Sequence, residues 1–146
     1  MTLEATEYEI DNGAAWIRLN RPAARNALSA SLVNELYDHI NQSNDNPDVR
    51  CMVITGNGPA FCAGADLKSP PGQIVDGQDR AIAYPDVLTS IIESSKPVIA
   101  AINGAAFAGG LGLVGAADIV ITVDNIHFIN EIKLKEKPLI KHWITL

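Results

Sequence analysis

Cysteine is nearly absent from this sequence: Cys51 and Cys62 are the only two in 146 residues. Two thiols make neither a disulfide framework nor a four-ligand zinc site. Histidine is equally sparse, and residues 39, 127 and 142 lie too far apart for a metal-binding spacing, so no metal is expected. Basic charge is in short supply, with eleven Lys and Arg against 17 Asp and Glu, a net −6. That argues against a nucleic-acid partner and against an anionic membrane surface, both of which select clustered Lys and Arg. No apolar run reaches the roughly 20 residues that span a bilayer. Residues 1–11 carry three glutamates and no basic side chain, so no signal peptide is expected there. What is present is globular: 47% hydrophobic and 19% charged residues, at a length that suits one domain. A soluble protein of the reducing, cytoplasmic type is the expectation.

Charge is unevenly spread. Residues 1–128 carry seven basic and fifteen acidic side chains, a net −8, and only two of the basic ones are lysines, Lys68 and Lys96. Residues 129–146 carry four lysines and two glutamates, a net +2. All eleven glycines fall at or before Gly115. The tail 129–146 is therefore compositionally atypical. Two readings stand: a genuine C-terminal helix or strand, or a truncation followed by out-of-frame or unrelated residues.

Apolar periodicity divides the rest. Residues 14–19 are apolar and β-prone, a strand. Residues 20–26 (NRPAARN) form a turn-rich link, since Pro22 fixes φ and biases its neighbour away from helix. Ser29 is a good N-cap, and Leu32, Val33, Leu36, Tyr37 and Ile40 then repeat at helical spacing, which predicts a helix over 30–43. A buried-type strand follows at 51–55, then a loop over 56–69 and a connection over 70–77. A second helix is expected over 79–94, with Ile82, Val87, Ile91 and Ile92 as core residues. Residues 97–102 form a continuous apolar strand, 103–110 a small-residue loop, 111–117 a short helix and 119–123 a further strand. Strands that are apolar throughout and alternate with helices point to an α/β chain with mostly parallel pairing.

Two Gly/Ala-rich turns carry the chemical signal: residues 56–66 (GNGPAFCAGAD) and 103–112 (NGAAFAGGLG), each after a buried strand. Small side chains leave peptide N–H groups uncovered, and two such groups aimed at one point stabilise a developing oxyanion. The second turn also opens a helix, whose free amides and dipole favour negative charge. The plain alternative is that both are tight packing turns. The pattern Gly110-x-Gly112-x-x-Gly115 also matches a dinucleotide fingerprint, with Asp124 as the ribose-binding acid. Seven residues separate it from the preceding strand, however, where the fingerprint should follow directly. A dinucleotide-binding oxidoreductase is a minor alternative. Cys62 reads as a small buried residue, and Asp118 as structural.

Three segments, NRPAARNALS (20–29), GPAFCAGADL (58–67) and KPVIAAINGAAFAGGLGLVGAADIVI (96–121), resemble the crotonase superfamily of enoyl-CoA hydratases and isomerases. They occur in the family's order, and the resemblance covers about residues 14–128. It implies a crotonase-like β-β-α spiral of which this chain is the N-terminal part, truncated at the C-terminus. It implies an acyl-CoA thioester as substrate, no other cofactor, and assembly as a homotrimer or hexamer. By position, it places an oxyanion hole on the backbone amides of Ala63 and Gly109. It places Ala63, Gly64, Ala65 and Asp66 along the coenzyme A path, and brings Arg25 within reach of a phosphate. Asp66 has a second reading, as a cap of its own loop, and Arg25 one as a solvated surface arginine.

The chain departs from the hydratase pattern at the acids. The first expected glutamate, three residues after the oxyanion glycine, is here Gly112. The second follows Phe-x-x-Pro-Glu, which Phe128–Ile129–Asn130–Glu131 matches only with the proline deleted. Glu131 is thus a candidate lone acid/base, or an exposed glutamate of the tail. One carboxylate suits a double-bond shift better than hydration. The alternative is a catalytically deficient fragment that at most binds acyl-CoA.

Overall fold

A computed structural model describes residues 4–75, 77, 79–124 and 143–145. Strands and helices follow one another in three successive turns. The first contains β1 (Thr6–Asp11), β2 (Ala14–Leu19), a 3-10 turn (Pro22–Ala24) and α1 (Ala30–Asp45). The second contains β3 (Cys51–Gly56), β4 (Ala60–Cys62) and α2 (Tyr84–Ile92). The third contains β5 (Val98–Ile102), β6 (Ala105–Ala106) and α3 (Gly109–Ala116), after which come β7 (Ile119–Thr122) and β8 (Trp143–Thr145). The large sheet runs β1-β2-β3-β5-β7-β8 and is parallel except for the β1–β2 hairpin. β4 and β6 pair in a second, smaller parallel sheet. The expected β-β-α spiral is the architecture observed.

Local sequence accounts for most of the elements. Ser29 accepts the Leu32 N–H at 3.2 Å and starts α1, as its cap chemistry predicts. Leu32, Val33, Leu36 and Ile40 bury one face of that helix together with Ile17 and Leu19 of β2. Strand β1 went unread because its TEYEID sequence is short and acidic. Its signal is the turn that follows: Asn12 and Gly13 both take positive φ, 50° and 83°, as a tight two-residue hairpin requires. Helix α2 starts at Tyr84 rather than at residue 79. Pro85, which lacks an amide hydrogen, sits in its first turn, where none is needed. Val87 and Ile91 form its buried face, and Ile92, expected in the core, is 69% exposed. The loops over 56–69 and 103–110 each contain a short strand, β4 and β6, which only their mutual pairing reveals. The glycines at 110, 112 and 115 all lie inside α3 rather than in a strand-to-helix turn. The dinucleotide reading is thereby corrected, because no phosphate-binding loop is formed there.

Two asparagines pin the corners where the spiral turns. The Asn103 carboxamide accepts the Gly56 N–H at 3.0 Å and donates to the Gly58 carbonyl at 2.9 Å, joining the ends of β3 and β5. Fully buried Asn26, at φ 54°, accepts the Arg21 N–H at 2.8 Å and donates to the carbonyls of Asn57 and Ala60, both at 2.9 Å. Replacing Asn26 with alanine removes three hydrogen bonds to backbone groups that are buried or half-buried. Asn26→Ala is expected to lower the unfolding free energy by about 2–4 kcal/mol in urea titrations.

A polar knot fastens β1 to α1. Glu35 accepts the backbone N–H of buried Thr6 at 2.7 Å and its hydroxyl at 3.0 Å. The His39 ring lies 3.1 Å from that hydroxyl through Nδ1 and stacks on Tyr8 at 4.7 Å. Burial lowers the His39 pKa below its ordinary 6.5, outweighing the opposing pull of Glu35 and Glu4. The unfolded chain therefore binds this proton more readily than the folded one. Stability contributed by neutral His39 is complete above pH 6.5 and is lost as pH falls below it. Melting temperature should fall between about pH 7.5 and 5.5, and His39→Gln should flatten that slope.

Candidate active site

The two small-residue turns meet face to face. Leu28 clamps the first from one side: its N–H donates to the Gly64 carbonyl at 2.7 Å, and its carbonyl accepts the Asp66 N–H at 3.0 Å. On the other side, the Phe107 N–H donates to the Cys62 carbonyl at 2.9 Å and brings in the second turn. Glycine is needed at 64, where φ is +95° and a β-carbon would come 3.1 Å from the Ala108 Cβ and 3.6 Å from the Gly109 nitrogen.

This packing sorts the backbone amides. The Ala63 N–H donates to the Arg25 carbonyl at 3.0 Å. The expected role of Ala63 as an oxyanion donor is thereby corrected: its hydrogen is spent on holding the loop to the 20–26 turn. The next-but-one amide is different. The Leu28–Ala65 bridge uses the groups on either side of Ala65, and the Ala65 N–H itself donates no bond among the described residues. In the second turn, Gly110 and Leu111 return their amides to Phe107 and Ala108, at 2.7 and 3.0 Å. The Gly109 N–H, at the start of α3, donates none among the described residues. Two open amides, Ala65 and Gly109, thus lie on the two turns that touch at Gly64.

The backbone is strained where these amides are aimed. Ala108, the residue before Gly109, holds φ 44° and ψ −112°, a conformation that a residue with a β-carbon rarely adopts. Such strain is worth of order 1–3 kcal/mol and persists only where surrounding bonds over-determine it.

The side chains divide into paired and open. Asp66 accepts the Lys68 N–H at 2.9 Å and forms an ion pair with Arg21 at 2.8 Å. The Lys68 amide first, and then Arg21, hold its carboxyl below the usual range. Of the two readings of Asp66, the loop cap is the one built here. Arg25 sits at φ 50° with an exposed side chain that has no ion-pair partner among the described residues. Cys62 is buried, and burial pushes its thiol up to about 11 against a smaller opposing bond from the Gly64 amide. It is a packing residue, not a thiolate. Glu131 lies outside the described residues.

Tyr84 was not anticipated. Its hydroxyl donates to the Gly109 carbonyl. A β-carbon at Gly112 would lie 2.8 Å from that oxygen. The position expected to carry a glutamate in a hydratase is therefore covered by a phenol. Burial raises the Tyr84 pKa, so the group is a neutral donor at physiological pH. Gly109 and Gly112, three apart on α3, were the available signal, since that spacing leaves a groove on one helix face. A separate open recess of about 310 Å³ lies at the ends of β3, β5 and β7 and reaches the second turn only at its first residue, Asn103.

Residues 9–136 match the family model for enoyl-CoA hydratase/isomerase, a stretch that includes Glu131. The enoyl-CoA hydratase EchA19 of Mycobacterium tuberculosis is 36% identical over 128 residues, covering 84% of this chain and 48% of the relative. A 4-chlorobenzoyl coenzyme A dehalogenase from Arthrobacter is 36% identical over 126 residues, covering 83% of this chain and 46% of that one. The crystal structure of an enoyl-CoA hydratase/isomerase from Pseudoalteromonas atlantica superimposes with a TM-score of 0.73 at 28% identity, covering 85% of this chain and 48% of that one. The chain spans about half the length of the curated relatives it matches.

The contact at residue 64 yields a direct test of the site's scaffold. Gly64→Ala forces a side chain into positive φ against Ala108, and a loss of about 1–2 kcal/mol is expected in thermal or chemical unfolding.

Proposed function

The chain belongs to the enoyl-CoA hydratase/isomerase family, and on that premise we propose that its two turns form a backbone oxyanion hole for an acyl-CoA thioester. The carrying observation is the pair of open amides, Ala65 and Gly109, on turns that touch at Gly64. The thioester oxygen accepts both. When the α-carbon loses a proton, or a nucleophile adds to the β-carbon, negative charge moves onto that oxygen. Fixed amides then stabilise the enolate more than the ground state.

The remaining parts follow from what is free. Unpaired Arg25, on the turn that holds Ala63, is placed to meet a coenzyme A phosphate, whereas Asp66 serves the loop. With glycine at 112, the described residues offer no carboxylate on the first turn of α3. Glu131 is the proposed acid/base, and a double-bond shift by one proton carrier is the proposed chemistry. Homotrimeric or hexameric assembly and a cytoplasmic location complete the proposal.

A second reading is binding without turnover, favoured by the Tyr84 phenol lying over Gly112. Turnover of a 3-enoyl-CoA to its 2-enoyl isomer separates the two, and Glu131→Gln should abolish it under the first reading.

Proline scanning tests the oxyanion hole. Ala65→Pro deletes an amide that holds nothing in the fold, whereas Ala63→Pro breaks the bond to Arg25. Ala65→Pro is expected to keep the wild-type melting temperature and lower kcat about a hundredfold, the effect of losing one such donor. Ala63→Pro is expected to destabilise the fold. Unchanged turnover in a folded Ala65→Pro chain would refute the assignment.

A further inference from the structure

Tyr84 reaches α3 from a neighbouring turn of the spiral and makes its polar contacts at one place, the first turn of that helix. An α-helix joins the carbonyl of residue i to the amide of residue i+4. Here those groups are the Gly109 carbonyl and the Leu113 amide, and the Tyr84 hydroxyl donates to that carbonyl from outside the helix. Glycine at 112 admits the phenol, whereas glycine at 109 leaves room for Leu28, whose Cδ1 would lie 2.7 Å from a β-carbon there. A β-carbon at 109 would sit 3.7 Å from the Tyr84 Cε1, and one at 112 would sit 3.4 Å from that atom and 2.8 Å from the hydroxyl. Gly109 has no side chain to restrict its own backbone rotation. On its other side, Ala108 is strained. A strained neighbour and a free rotor do not by themselves hold an amide in one direction.

We infer that Tyr84 is a positioning residue for the Gly109 amide, fixing its direction by gripping the Gly109 carbonyl in the groove that Gly112 leaves open. The inference rests on the proposed reading of the Gly109 N–H as a thioester donor. Tyr84 orients the donor and does not itself exchange a proton with substrate. The glycine at 112 thereby acquires a purpose: it exchanges a side chain at that position for the phenol.

The test uses the 146-residue chain and crotonoyl-CoA labelled with carbon-13 at the thioester carbonyl. Infrared difference spectra report how far the carbonyl stretch moves to lower frequency on binding, which measures hydrogen bonding at that oxygen. The wild-type chain should displace the band. Tyr84→Phe should leave the dissociation constant within about twofold while at least halving the displacement, a split between binding and polarisation that a merely structural role does not produce. Gly112→Ala, which drives a β-carbon against the phenol oxygen, should reproduce that loss. Adding it to Tyr84→Phe should cost little more, because both changes break one contact. Should Tyr84→Phe fail to fold, Gly112→Ala alone carries the comparison. A band that is displaced in the wild type and fully retained in the folded variants overturns this inference and leaves the oxyanion reading standing. A wild-type chain that does not bind the thioester, or binds it with no displacement, overturns both.

Discussion

The structure depends on a backbone-to-backbone approach between two turns, with Gly64 set against Ala108 and Gly109. No residue with a β-carbon fits at 64 without pushing these segments apart. The approach is held from both sides, by the Leu28 bonds to Gly64 and Asp66 and by the Phe107 bond to Cys62. The β4–β6 pairing joins the two turns further along. With both clamps in place, the amides of Ala65 and Gly109 lie near the seam with no partner in the fold.

An unsatisfied amide is unfavourable when buried and tolerable when it meets solvent or a ligand. Ala65 is exposed and Gly109 half-exposed, so the seam is open and the penalty modest. The larger local expense is conformational, at Ala108. It is offset by bonds at a distance: the Asn26 and Asn103 carboxamides lock the corners of the spiral, and Asp66 with Arg21 locks the loop beyond Ala65. The polar side chains around this seam are therefore mostly occupied in holding backbone, which is why a reading based on free side chains undercounts the site and a reading of its amides does not.

The same geometry explains how the chain tolerates glycine where a hydratase carries a glutamate. The vacated space is not a hole, because the Tyr84 ring fills it and its hydroxyl engages the helix backbone. Loss of a carboxylate and gain of a phenol change the chemistry available on α3 from proton exchange to hydrogen-bond donation, since burial keeps the phenol neutral. The proposed enolate stabilisation by backbone amides needs no carboxylate at that position.

By itself the sequence determined the parts that rest on local rules. Ser29 started α1, apolar runs marked β2, β3, β5 and β7, and the small-residue turns announced where backbone would be exposed. It also determined the family, through three motifs in order. Neighbouring-strand effects were not legible: β4 and β6 are too short to show a period and exist because they pair with each other. The start of α2 lies five residues later than the periodicity suggested, at Tyr84, and Pro85 in the helix's first turn is the local signal that marks it. Which amides are open was likewise decided only by tertiary structure. Ala63 and Ala65 are alike in sequence, two small residues flanking one glycine, and only the placement of the Arg25 carbonyl against one of them tells them apart. Hydrogen-bond partners 25 residues away, as for Tyr84 and Gly109, or further, as for Ala63 and Arg25, leave no trace in local composition, and for that reason the fold could be read from the chain while the open amides and the Tyr84 contact could not.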